Sequence, residues 1–174
     1  MYILSQVFIV ISGLLFTASY FFKKKGLILV INVFNNLFFA THFLLLKSFT
    51  ASFSVLVIAF FLVVVYMLEK YGHKKFILLA LFLSLIATII ISKLTWGGIF
   101  SLLPTLATIL TLIGTVLTNA LLIKLFYLTS TILNTIFLFI INSYFGFIIN
   151  IMIMIAGITG IILHLKKQKS LANG

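Results

Sequence analysis

Long apolar runs fill almost the whole chain, and short polar or lysine-bearing gaps separate them. Seven runs can be drawn, at approximately residues 2–22, 26–46, 49–68, 76–92, 97–118, 120–141 and 144–165. The gaps are Lys23–Lys25, Lys47-Ser48, the stretch EKYGHKK at 69–75, KLTW at 93–96, the polar pair Thr118-Asn119, and Asn142-Ser143. A helix that crosses the hydrocarbon needs about 20 mostly apolar residues. Lipid offers the backbone no hydrogen-bond partner, so segments of this length are predicted to be helices. The first run has no basic residue ahead of it and three lysines behind it, so it reads as a retained span rather than a cleaved leader.

Composition removes the alternative of a water-soluble domain. The chain has 174 residues, 64% hydrophobic and 7% charged, with a mean hydropathy of +1.39. A soluble domain carries roughly 25% charged residues, and one this small still exposes much of its surface. The net charge of +11 comes from twelve lysines against one acid, Glu69. Such a balance would suggest nucleic acid in a soluble protein. Here the lysines lie between apolar runs, so they report membrane orientation and no nucleic-acid partner is expected.

The lysines also test the span count. With seven spans and the N-terminus outside, ten lysines fall inside, and only Lys47 and Lys93 fall outside. If the short run 76–92 did not cross, the split would drop to 7 against 5. The positive-inside rule therefore favours seven spans, N-out and C-in. An odd count allows a 3+1+3 layout with two bundles of the same orientation. The expected units are a first three-helix bundle at 1–68, a linker helix at 76–92, a second three-helix bundle at 97–165 and a basic cytoplasmic tail at 166–174. An offset of 95 residues supports an internal repeat, since it superposes Lys47-Ser48-Phe49 on Asn142-Ser143-Tyr144 and Asn35-Asn36 on Ser130-Thr131.

Several segments also carry a family resemblance. They include Gln6 in the first run, NLFFATHFLLL at 36–46, FSLLPTLATILTLIGTVL at 100–117 and LTSTILNTIFLFIINSYFG at 128–146. Across about residues 5–165 the chain resembles the YgjV-type bacterial inner-membrane family. That family is similar in predicted layout to SWEET and PQ-loop transporters. No PQ dipeptide occurs here, so this wider similarity rests on layout alone. The resemblance implies an all-α, polytopic fold in the bacterial cytoplasmic membrane and no particular activity.

Polar residues inside the runs are the candidate site, because lipid gives them nothing to bond. Asn32, Asn35, Asn36 and His42 lie along one side of the second run, and Asn35 and His42 share a face by their spacing of seven. Ser130 and Asn134 form a pair on the sixth run, and Gln6 and Asn150 add one group each from the first and seventh. These seven residues (Gln6, Asn35, Asn36, His42, Ser130, Asn134 and Asn150) are the candidate substrate-binding set. The alternative role is helix-to-helix hydrogen bonding, worth about 0.6–2 kcal/mol per group. Pro104, the only proline, falls within the fifth run and is a candidate hinge. Thr108, Thr111 and Thr115 form one face, which is either close packing or a mildly polar cavity wall, with packing preferred. Trp96, Tyr71 and Tyr127 read as interfacial anchors.

Absences narrow the function. There is no cysteine, and no acid lies within a run apart from boundary residues. No paired carboxylates, metal cluster or nucleophile–base pair can be drawn, so neither an enzyme nor a metal or other cofactor is expected. Lys23, Lys24, Lys25, Lys166, Lys167 and Lys169 are placed to meet anionic lipid headgroups. The leading expectation is a facilitator of a small neutral or weakly polar solute, by alternating access between two bundles. Its competitors are a non-transporting membrane subunit or scaffold, whose polar residues only pack helices, and a solute-capturing subunit that needs an ATPase partner. A homodimer is compatible with the small residues Ala156, Gly157 and Gly160 of the last run.

Overall fold

The computed structural model describes residues 2–19, 25–117 and 119–172. Among them are seven α-helices: α1 (Tyr2–Ser19), α2 (Lys25–Leu45), α3 (Phe49–Lys70), α4 (Ile77–Leu94), α5 (Leu102–Val116), α6 (Ala120–Ile140) and α7 (Tyr144–Ala172). Short 3-10 turns at Lys74–Phe76 and Ile99–Ser101 lead into α4 and α5. Each helix falls on one apolar run, and no strand occurs among the described residues. The helix α7 continues through Lys166, Lys167 and Lys169, where a tail was expected. Lys, Gln, Leu and Ala favour helix, so nothing in that segment stops it. Lys23 and Lys24 lie outside the described residues.

Local chemistry sets the breaks. Gly72, at φ +78, closes α3, with its N–H on Glu69 O at 3.2 Å and His73 N–H on Leu68 O at 2.7 Å. The Asn119 side chain caps α6, accepting from Leu121 N–H at 2.9 Å and Leu122 N–H at 3.3 Å. Two other turns are built alike. Lys47 (φ 59) and Asn142 (φ 56) both adopt the left-handed conformation. In the first turn Lys47 N–H bonds Leu44 O and Ser48 N–H bonds Phe43 O. In the second Asn142 N–H bonds Phe139 O and Ser143 N–H bonds Leu138 O.

Packing is sequential, with two cross-links. The helix α2 packs between α1 and α3, and α6 packs between α5 and α7. Contacts α1–α7 and α3–α5 join the two groups, while α4 leans on α3 and α5. One apolar cluster joins Leu29, Phe61, Leu62 and Val65 to Leu112, and a second joins Phe43, Ala51 and Val55 to Phe137 and Leu138.

The outside of the molecule is the apolar side. Ile3, Leu78 and Leu94 are among its most exposed residues. On α4 the buried residues are Ser84, Thr88 and Ser92, while Leu79, Phe82, Leu83, Ile86, Ile89 and Ile90 face outward. That reverses the pattern of a soluble helix and suits one wrapped in acyl chains. Helices α2 to α6, counted with their 3-10 turns, are long and apolar enough to cross a membrane. The apolar parts of α1 (Tyr2–Ala18) and α7 (Tyr144–Thr159) are shorter.

The α1–α7 contact is the tightest that a glycine permits here. A Cβ on Gly13 would stand 2.4 Å from Ile149 Cγ2. Ile is branched at Cβ and stiff, so it cannot swing aside. Gly13→Ala is expected to destabilise the fold by about 1–3 kcal/mol through overpacking. The thermal denaturation midpoint of purified protein measures this, and Ile149→Ala in the same chain should restore much of the loss.

Candidate functional site

A cavity of about 110 Å³ lies where the two groups of helices meet. Its lining draws on α1, α2, α3, α5, α6 and α7, with none from α4. The α2 wall is Asn32, Asn35, Asn36 and Phe39, and the α6 wall is Tyr127, Ser130, Thr131 and Asn134. Both sets follow the spacing i, i+3, i+4, i+7, which puts four side chains on one helix face. Adding 95 to each α2 number gives the α6 number, and the same offset relates Val55 and Ile58 on α3 to Asn150 and Ile153 on α7. Phe16, Leu62 and Ile149 supply apolar surface.

Five of the seven sequence candidates (Asn35, Asn36, Ser130, Asn134 and Asn150) line this cavity. Asn35 Oδ1 accepts from Ser12 Oγ at 2.6 Å, tying α2 to α1. Asn36 Nδ2 donates to Asn32 O at 2.7 Å within α2. Ser130 Oγ donates to Ala107 O at 2.8 Å and lies 2.7 Å from Thr111 Oγ1. The Asn32 Oδ1 atom is buried with no partner. Asn134 and Asn150 make no hydrogen bond among the described residues, although Asn150 is 6% exposed. A buried amide atom without a partner costs about 1–3 kcal/mol, so Asn32 Oδ1 calls for water or a ligand, and the unpartnered amides of Asn134 and Asn150 are free to bond the same one.

His42 and Gln6 stand outside the lining, in a junction between α1, α2 and the turn before α7. His42 is fully buried. Its Nδ1 is 2.7 Å from Ser5 O, and its Nε2 is 3.0 Å from Ser143 Oγ. A carbonyl can only accept, so Nδ1 carries the proton. In the neutral ring Nε2 then accepts from the Ser143 hydroxyl. One imidazole thus ties α2 to α1 and to the turn before α7. The Phe43 ring packs on Phe137 across the same junction at 5.7 Å. Beside it, Tyr2 OH donates to Asn142 O at 2.9 Å. Gln6 Nε2 donates to Ser5 Oγ at 3.1 Å, and its Oε1 is buried without a partner.

Pro104 is buried outside the lining and is the third residue of α5. The first-turn N–H groups of a helix have no partner inside it, so the missing N–H breaks no helical bond there. Pro104 therefore starts α5 rather than interrupting it mid-span, where a hinge would act.

Several other lining residues were not in the candidate set, among them Tyr127, Thr111, Thr115 and Ser12. Tyr127 was assigned to the interface, yet its hydroxyl is 2.9 Å from Thr115 Oγ1 inside the cavity wall. Its spacing of seven from Asn134 is the signal that could have found it. Thr111 and Thr115 both pack and line. Ser12 lies on an otherwise apolar helix and carries no pattern of its own.

Apolar helices facing outward around a shared cavity that carries several polar side chains define a polytopic helical membrane protein. The chain belongs to the Imp-YgjV family, described as bacterial inner membrane protein, which matches residues 3–168. Its location is therefore the bacterial inner membrane. No curated protein and no solved structure matches it.

The His42–Ser143 contact should behave as a coupled pair. In a double-mutant cycle with His42→Ala and Ser143→Ala, thermal stability is expected to show a coupling of about 0.5–2 kcal/mol. His42→Ala alone should cost more than Ser143→Ala alone, because it removes a fully buried ring together with its bond to Ser5 O.

Proposed function

We propose that the protein is a facilitator of a small uncharged solute, working by alternating access between α1–α3 and α5–α7 with α4 as the linker. The observation that carries this reading is the shared register of the cavity walls, in which six lining residues of α2 and α3 recur on α6 and α7 at the 95-residue offset. A cavity used only for packing has no need of that symmetry. Transport by rocking of two like halves places its site at their interface near the midplane.

Other features support the same layout. The two like-built turns at Lys47 and Asn142 obey the offset, as do the buried pairs Phe43 with Leu138 and Ala51 with Gly146. The contact α1–α7 maps onto α5–α3 when the halves are exchanged. With N-out and C-in, the junction at His42, Ser143, Tyr2 and Asn142 closes the outer end. Asn35, Asn36, Ser130, Asn134 and Asn150 then form the binding surface. His42 and Gln6 belong to the gate above it. Among the described residues no charged side chain lines the cavity, which favours an uncharged cargo and no carboxylate-coupled ion. Enzymatic turnover has no chemical group to carry it among these residues.

Flux into proteoliposomes tests the proposal. The wild type is expected to speed the equilibration of at least one small uncharged solute over protein-free vesicles. Asn35→Leu and Asn134→Leu should each reduce that rate about tenfold or more, the loss expected when a polar partner worth about 1.4 kcal/mol is removed. Equal rates with and without protein, across polar and apolar neutral solutes, would favour the scaffold reading instead.

A further inference from the structure

The hydrogen-bonding inventory of the cavity is uneven. Every hydroxyl that lines it already has a partner. Ser12 is on Asn35 Oδ1, Thr111 and Ser130 are on Ala107 O, Thr115 is on Thr111 O, and Thr131 is on Tyr127 O. Tyr127 OH sits on Thr115 Oγ1. Serine and threonine in apolar helices routinely turn back onto their own carbonyls in this way. The groups left without a hydrogen-bond partner are carboxamide atoms: Asn32 Oδ1, and both ends of Asn134 and Asn150. Of Asn35 the amide nitrogen remains, and of Asn36 the amide oxygen.

A carboxamide offers an N–H donor and a C=O acceptor side by side in one plane. Its best complement is another flat edge with the reverse pair, the same logic by which Asn and Gln read the adenine edge with two bonds. Around these edges the walls are flat rings, Phe16, Phe39 and Tyr127, and branched aliphatic chains. Rings of this kind stack on a planar ligand. The volume of about 110 Å³ is far below that of a drug-sized pocket.

From this, and resting on the facilitator reading above, we infer that the cavity takes a small, planar, uncharged molecule with an amide-type edge: a lactam, cyclic imide or ureide. A charged ligand would be desolvated with no counter-charge in the wall. A polyol carries hydroxyls pointing in several directions, and those against the aliphatic walls would go unpaired. A purely apolar solute would strip water from the amides and return nothing.

The experiment uses the purified full-length chain, with binding read by calorimetry and thermal shift, and with flux read in proteoliposomes. The probes are uracil, hydantoin and 2-pyrrolidone, against erythritol and ribose as polyols and 1,3-dimethyluracil as a flat ring without N–H donors. Saturable binding of uracil or hydantoin is expected, at least tenfold weaker for 1,3-dimethyluracil, and at least tenfold weaker for uracil in Asn134→Leu. Should that variant not fold, Asn150→Leu serves the same comparison. Equal binding of the dimethyl ring would overturn the amide-edge assignment. Binding and flux of the polyols alone would overturn it too, while leaving the facilitator reading intact. Absence of binding by every probe, with no neutral solute crossing, would overturn both.

Discussion

Lipid accepts no hydrogen bonds, and most of this structure follows from that constraint. The chain must form helices to satisfy its backbone, and each helix must turn its polar side chains away from acyl chains. On α4 the result is a buried line of Ser84, Thr88 and Ser92 against α3 and α5, with Leu, Ile and Phe outside. On α2 and α6 the same pressure turns Asn35 and Ser130 inward. Hydroxyls can retire onto their own helix. Carboxamides cannot do so as easily, and among the described residues those of Asn35, Asn36, Asn134 and Asn150 meet at the cavity between the two groups.

Near the Ser5 end of α1, a small set of groups holds the two sets of helices together. His42 bonds to α1 through Ser5 and to the turn before α7 through Ser143, and Phe43 stacks on Phe137 beside it. The site and the junction are one turn apart on α2, since Phe39 lines the cavity and His42 does not. The helix α2 therefore carries both the carboxamide wall and the histidine junction.

Much of the fold was legible in the sequence because hydropathy and lysine gaps are strong, local signals. All seven runs coincide with helices, and the paired motifs Lys47-Ser48 and Asn142-Ser143 emerge as matching turns. The cavity lining was legible where polar residues interrupt apolar ones within the runs, which covers Asn35, Asn36, Ser130, Asn134 and Asn150. It was not legible where a residue's role depends on its neighbours in space. His42 shares a face with Asn35 along α2, but Ser5 and Ser143 lie 37 and 101 residues away and take both ring nitrogens. Tyr127 looks like an interfacial residue until Thr115 is seen beside it. Pro104 reads as mid-span only because Ile99–Ser101 prolongs the apolar run ahead of the true helix start.

The central claim is that the amide faces of α2, α6 and α7 look onto one water-reachable cavity rather than onto dry helix contacts. The chain contains no cysteine, so single thiols can be introduced on a silent background. Reaction of Asn35→Cys, Asn134→Cys and Asn150→Cys with a small water-soluble thiol reagent, in intact membranes, is the most direct measurement. A shared cavity predicts labelling at all three, and none at Phe34→Cys or Ile136→Cys, which face outward. Silence at Asn134→Cys and Asn150→Cys would contradict it.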